Sequence, residues 1–374
     1  MAESGGTELN AVRTVEHLPR DQVTPVVLTL NGHGAMGERY QRMGVRVVEF
    51  PIHSLVGLPT WRRQTEAVRF LREERIQIVH AHDLYSNFFF GLAARRAGTP
   101  VVIASKRWTR QPKRRHFFSD MFAYRFAHRV LANSEAVADS LHTTEHIAPS
   151  KVWVLENFIE PEVFAPVTAG ERRARREVWG IPMERRLIGI VARLRSEKDH
   201  ATFIRAGATL MRDHRDVDLA IVGDGPEESA LRALADTLGI AGRVHFLGHQ
   251  PSRPTPHSLF DLSVLCSLHE GFPNSVIESM ASGTAVIATR VGAIPDILGQ
   301  GALGWLVPPA DPVALAGAMR EALADPGHTH QVAQAARRAS AERFSATATI
   351  ARLVRWYHAL LAQVAPSMHG GAAA

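Results

Sequence analysis

"DLAIVGDGPEESALRALADTLGI", residues 218–240, holds a whole structural unit. The run "DLAIVG" is apolar and of strand length. Gly223, Gly225 and Pro226 then turn the chain. "EESALRALADTLGI" (227–240) follows as an amphipathic helix. A strand that is apolar without alternation is buried on both faces, and the helix after it is what covers one of them. This reading makes the segment one βα step of a parallel sheet.

The same step recurs along the chain. "TPVVLTL" (24–30), "VRVVEFP" (45–51), "IQIVHAH" (76–82), "TPVVIAS" (99–105), "HRVLANS" (128–134) and "KVWVLEN" (151–157) read as strands, with helices such as 60–75 between them. A second series follows: 186–193, 218–225, 243–249, 261–267, 284–290 and 304–309. The break falls in 164–182, rich in Pro, Gly and charge. Two doubly wound domains follow from this. They are a first domain over 1–165 and a second domain over 166–345. The stretch 346–374 is expected to hold a helix (347–364) returning to the first domain, and a disordered tail.

Composition narrows the class. Apolar residues make up 45% and charged residues 21% of 374, as in globular proteins. No apolar run approaches the roughly 18 residues of a membrane span. The first residues, "MAESGGTELN", are polar and do not read as a secretory signal. The single cysteine, Cys266, forms no intrachain disulfide, which fits a reducing cytosol. The net charge of +6 is carried mostly by arginine; Lys106, Lys113, Lys151 and Lys198 are the lysines. Nucleic acid is not indicated. The basic-aromatic stretch 106–118 suits an anionic acceptor or an anionic membrane surface.

In open α/β sheets ligands bind at the carboxyl ends of strands. Arg193, the Gly223–Pro226 turn, His249 and Glu270 all fall just after strands. Arg193 and Lys198 place two cations between a strand and a helix, which suits a diphosphate. The Gly turn allows close backbone approach to a ligand. "HEGFPNSVIE" (269–278) sets Glu270 and Glu278 eight residues apart, with Pro273 opening a helix between them. Asp216 and Asp218 resemble a metal-binding D-x-D pair, but they precede their strand. His80 and His82 lack an evident third ligand. No metal site is expected.

The order Arg-x4-Lys, G-D-G-P, Glu-x7-Glu resembles glycosyltransferase family 4, the retaining group 1 transferases of the GT-B fold. "SGGTELN", "IVHAHD", "ANSEAVADSL", "VLENFIEPEVFAP" and "GTAVIATRVGAIPDIL" extend the resemblance over nearly the whole chain. It implies a hexosyltransferase-type enzyme that moves a sugar from a UDP- or GDP-sugar to a glycan or lipid-linked acceptor, without a metal or other cofactor. By the same resemblance Arg193 and Lys198 neutralise the leaving diphosphate, and Glu270 sits by the donor sugar. Gly223, Gly225, Pro226, Gly271, Phe272, Pro273, Asn274, Ser275 and Glu278 hold the donor, with Glu278 on the ribose. Gly5 and Gly6 form an N-terminal glycine loop. His82, Lys106 and Arg107 lie on the acceptor side. A cytoplasmic location, peripheral on the inner face of the membrane, goes with this activity.

Two departures stand out. A strand ordinarily precedes the glycine loop, and here only "MAES" does, so the first strand of the first domain is expected to be missing. "ASKRW" stands where many family members have a His. Two other readings compete. One is a non-hydrolysing sugar epimerase or phosphorylase on the same fold, against which the motif order speaks. The other is a nucleotide-sugar-binding protein without turnover, because its first domain is truncated.

Overall fold

A computed structural model of the protein describes residues 6–30, 35–108, 121–250 and 255–364. The chain divides into two compact units, Met1–Asn157 with Ala346–Ala374, and Phe158–Ser345. All twelve strands described lie within or beside the runs expected to form them.

The first unit runs α1 (Gly6–His17), β1 (Val26–Thr29), α2 (Ala35–Arg42), β2 (Arg46–Glu49), α3 (Leu58–Glu73), β3 (Ile78–His80), α4 (Leu84–Ala97), β4 (Val101–Lys106), β5 (Arg129–Ala132) and β6 (Val152–Val154). Its strands form two parallel sheets, β1-β2 and β3-β4-β5-β6. Helix ends follow local chemistry. Asp83 caps α4 through the Ser86 amide, and Gly98, left-handed at φ 78°, ends it. The terminal helix Ala346–Val364 belongs to this unit, with Trp356 packed on Trp153 and the Tyr357 hydroxyl on His80. A cavity of about 930 Å³ is bounded by α1, β1, the β3 segment and this helix.

The second unit holds one six-stranded parallel sheet: β7 (Arg186–Val191), β8 (Val217–Val222), β9 (Val244–Gly248), β10 (Leu262–Leu265), β11 (Ala285–Thr289) and β12 (Trp305–Val307). The order is β12-β11-β10-β7-β8-β9, with β7 paired in parallel to both β8 and β10. Ile188, Ile190, Leu219 and Ile221 are fully buried against helices on one face, and Val286 and Ala288 pack into a second cluster. Each such aliphatic side chain contributes about 1.5–3 kcal/mol on burial. Packing is tight enough to demand glycine inside β7. A Cβ at Gly189 would stand 2.2 Å from the Phe260 ring.

The aspartates set aside as metal ligands are ion-paired at the amino end of this sheet. Asp216 bonds to Arg186, and Asp218 to Arg185 and to His245 at 3.1 Å. Burial by itself raises the Asp218 carboxyl, but the hydrogen bonds from His245 and Arg185 outweigh it and hold the group at about 2.

Two expectations follow. A carboxylate with a depressed folded-state pKa stabilises the fold above its unfolded value near 4 and loses that contribution as pH falls toward 2. Asp218→Asn therefore flattens the acid limb of the stability–pH curve between about pH 5 and pH 2, by roughly 1–2 kcal/mol, as read by urea unfolding at stepped pH. Gly189→Ala overpacks the Phe260 contact and costs about 1–3 kcal/mol in the same assay.

Candidate functional site

In the second unit, three loops at the carboxyl ends of β7, β8 and β10 are tied together. The loop after β7 carries Arg193 and ends in a 3-10 turn, Ser196–Lys198. Asp199, left-handed at φ 46°, then caps the helix His200–Leu210 by accepting from the Thr202 amide. This abrupt start aims the Lys198 side chain at the neighbouring loop. Its Nζ meets Glu270 Oε1 at 2.5 Å, and the same oxygen accepts from Ser267 Oγ at 2.7 Å. Thr289 Oγ1 in turn donates to the Ser267 carbonyl. From below, the Cys266 thiol donates to the Lys198 and Asp199 carbonyls at 3.3 and 3.0 Å. The Leu268 amide bonds the Glu197 carbonyl. Burial pushes the Cys266 thiol up, so it stays protonated as a donor. Buried His200 is held neutral, its imidazole pushed down to about 4 by burial and by the Lys198 ammonium.

The glycine turn packs closely on the neighbouring loop. Gly223, at φ 133°, and Gly225 let the β8 loop press on the β7 loop: a Cβ would stand 2.1 Å from the Ala192 carbonyl oxygen at Gly223 and 2.3 Å from that of Leu194 at Gly225. The Leu194 amide donates to the Asp224 carbonyl, and the Glu227 amide to that of Leu194. Arg193 Nη2 lies 4.0 Å from Asp224 Oδ1. The glycines thus fix the loop that carries Arg193, with Pro226 exposed beside them. Gly292, at φ 54°, does the same for Glu270, where a Cβ would meet the carbonyl oxygen at 2.1 Å. Sequence reading singled out neither Gly292 nor Ser267. Asp199 carried a usable signal, an aspartate just before a helix.

"HEGFPNSVIE" turns as expected. Pro273 takes the N-cap position of the helix Asn274–Ser282, which places Glu278 in its second turn. Phe272 was expected to serve the donor through its backbone amide. Its side chain is buried and packs edge-on to Phe344 at 5.7 Å, so only its backbone is available to a donor. Ser275 Oγ lies 3.4 Å from Nε2 of buried His257, with Asn274 and Ser275 half-buried.

In the first unit a polar cluster crowns β3 and β4. His80 meets Tyr357 Oη at 2.6 Å through Nδ1 and Ser105 Oγ at 2.9 Å through Nε2. Both its nitrogens are engaged. His82 stacks on it, ring centroids 4.3 Å apart. Arg107 reaches His82 Nδ1 at 3.4 Å and donates to Asn157 Oδ1 at 3.0 Å; Asn10 donates to the same oxygen. Burial, reinforced by Arg107, pushes the His80 imidazole down to about 3. Burial, His80 and Arg107 lower that of His82 too. Both rings are neutral at physiological pH.

Lys106 is a correction. It is 2% exposed and paired with Glu145, with Ser140 Oγ at 3.0 Å. Side chains alternate across a strand, so Ser105 and Arg107 share the histidine face while Lys106 points to the other. It is a buried ion pair, not an acceptor contact. Gly6 opens α1. Gly5 and residues 109–118 of the basic stretch lie outside the described residues.

Comparison with known proteins identifies the family. A model for "Glycosyl transferases group 1" matches residues 171–339, and one for "Glycosyltransferase Family 4" matches 4–163. The 2-deoxystreptamine N-acetyl-D-glucosaminyltransferase of Streptomyces fradiae is 27% identical over 86% of this chain and 83% of its own length. A D-inositol 3-phosphate glycosyltransferase of Corynebacterium urealyticum is 29% identical over 62% of this chain and 56% of its own length. Among solved structures, Anabaena Alr3699/HepE in complex with UDP superimposes with a TM-score of 0.85 at 20% identity, over 96% of this chain and 98% of that one. A Rickettsia africae glycosyltransferase gives 0.86 over 96% of each chain, also at 20% identity. The fold is therefore GT-B. With both halves matched, the chain belongs to the group 1 glycosyltransferases of family 4.

Proposed function

We propose that the chain transfers a sugar from a nucleoside-diphosphate sugar to a hydroxyl of a glycan or lipid-linked acceptor, with retention at the anomeric carbon and with Arg193 and Lys198 standing in for a metal ion. The observation that carries this reading is the Lys198–Glu270 contact of 2.5 Å, made by loops that leave the adjacent strands β7 and β10.

The chemistry follows from the charges. When the bond from the anomeric carbon to the phosphate oxygen breaks, its electron pair stays on the diphosphate, which gains negative charge. Cations already fixed at that position stabilise the transition state more than the ground state. Asp199, Cys266 and Glu270 hold Lys198, and the glycine-packed backbone holds Arg193. Neither pays a reorganisation cost when the donor binds. The acceptor hydroxyl attacks from the face the diphosphate leaves, and a diphosphate oxygen takes its proton. Glu270 then serves the sugar hydroxyls, and the amides of Gly271–Asn274, at a helix N-terminus, serve the phosphate and sugar. Glu278, a turn further on, serves the ribose.

Solved neighbours are described with UDP and with UDP-glucose, which makes a uridine donor the first to test. Relatives are named for 2-deoxystreptamine and inositol 3-phosphate, so both belong among the acceptors tried. On the acceptor side, His82 and Arg107 supply a neutral ring and a cation. No helix of the described residues is long and apolar enough to cross a membrane. In this proposal the enzyme works in the cytoplasm, and any contact with an anionic inner membrane surface falls to the basic residues beyond Arg107.

Incubation with labelled UDP- and GDP-sugars, a lipid extract and the two cyclitols tests transfer, and NMR of the product anomer tests retention. Activity in excess EDTA is expected. Lys198→Ala is expected to lower kcat/KM by about 100- to 1,000-fold and to weaken UDP binding; unchanged kinetics would sink the diphosphate assignment. Nucleotide binding with no transfer to any acceptor would count against the whole reading.

A further inference from the structure

His257 is a fully buried imidazole packed against the helix Asn274–Ser282 of the second unit. It belongs to the 3-10 turn Pro256–Leu259, which joins β9 to β10. The residue is held on two sides. Its carbonyl accepts from Thr284 Oγ1 at 2.7 Å, and Phe260 meets its ring edge-on with centroids 6.1 Å apart. Each ring nitrogen then faces a serine. Nδ1 lies 2.9 Å from Ser263 Oγ on β10. Nε2 lies 3.4 Å from Ser275 Oγ, in the first turn of the helix. Contacts of this kind are often long before a ligand binds and tighten around it. Burial pushes the imidazole down to about 3, so the ring is neutral at physiological pH.

A neutral imidazole has one N–H and one lone pair. The hydroxyls decide which nitrogen carries the proton. Ser263 is buried, and among the described residues its Oγ has no partner but His257 Nδ1. A proton on Nδ1 would leave the Ser263 O–H buried without an acceptor, which folded interiors rarely tolerate. Ser263 therefore donates to Nδ1, and the proton sits on Nε2. Nε2–H in turn donates to Ser275 Oγ. The O–H of Ser275 is then left to give elsewhere. Ser275 is half-buried, at the helix end whose amides face the phosphate in the proposed reaction.

On the diphosphate reading of this site, we propose that His257 is a positioning residue that commits the Ser275 hydroxyl to donate to the diphosphate of the nucleotide sugar, with Ser263 fixing the tautomer. Phosphate oxygens accept hydrogen bonds and donate none when ionised, so a hydroxyl committed to donation suits them. The ring itself touches no ligand.

Two measurements on the full chain test this. The first is 15N NMR of the histidine rings, with the His257 signals assigned by their loss in His257→Asn. Protonated Nε2 and bare Nδ1 are expected from about pH 6 to pH 9; a proton on Nδ1 overturns the proposal. The second is calorimetry of UDP against uridine, or of GDP against guanosine if the wild type prefers it. Ser275→Ala is expected to weaken the diphosphate by about tenfold or more and the nucleoside not at all. His257→Asn, which keeps an acceptor for Ser263, is expected to weaken the diphosphate several-fold, and to add nothing in the Ser275→Ala background. Additive losses, or equal losses for nucleoside and diphosphate, mean that His257 only fills space and overturn the proposal. If His257→Asn does not fold, assignment passes to His257→Gln, and the tautomer and the Ser275→Ala ratio decide. A wild type that binds neither diphosphate overturns the reading of the site and this proposal with it. A wild type that binds, beside an unaffected Ser275→Ala, overturns this proposal alone.

Discussion

Parallel pairing is the constraint from which the rest follows. A parallel strand cannot hairpin back, so the chain returns over a helix each time and every strand points the same way. All the strand-to-helix turns then lie on one rim. In the second unit this rim brings Arg193, Asp224 and Glu270, far apart in sequence, into one cluster of loops. It also explains why Asp216 and Asp218, on the opposite rim, became structural ion pairs.

What the rim gathers, backbone contacts hold. Glycines at 223, 225 and 292 let one loop lie on the carbonyls of the next, and Asp199 starts its helix at once. The cationic site is therefore a property of main chain as much as of side chains. Lys198 is braced by Glu270 from one direction and, through its own carbonyl, by Cys266 from another.

The sequence reading reached the strands because a strand buried on both faces leaves a continuous apolar run, as "LIGIV" and "LAIV" do. It singled out Arg193, Lys198 and Glu270 because strand ends are where ligands bind, and all three lie on loops at one rim of the second unit's sheet. It did not find what depends on facing direction or close approach. Whether Lys106 or Arg107 meets the histidines is decided by the phase of β4, which a run ending in "SKRW" does not reveal. The core role of the Phe272 ring, packed on Phe344, was likewise invisible in a loop read for its backbone amides. Gly292 looks like any glycine until the carbonyl of Glu270 is found against it. The split of the first unit into two sheets likewise depends on which strands are neighbours, and that is long-range information.

Cys266 gives the second unit one more property. Its thiol lies sealed beneath the Lys198–Asp199 carbonyls, and burial keeps it protonated. Thiolate is the reactive form, so electrophiles and oxidants meet this sulfur only when the cationic loop lifts away. Loop opening and thiol chemistry are thereby one event.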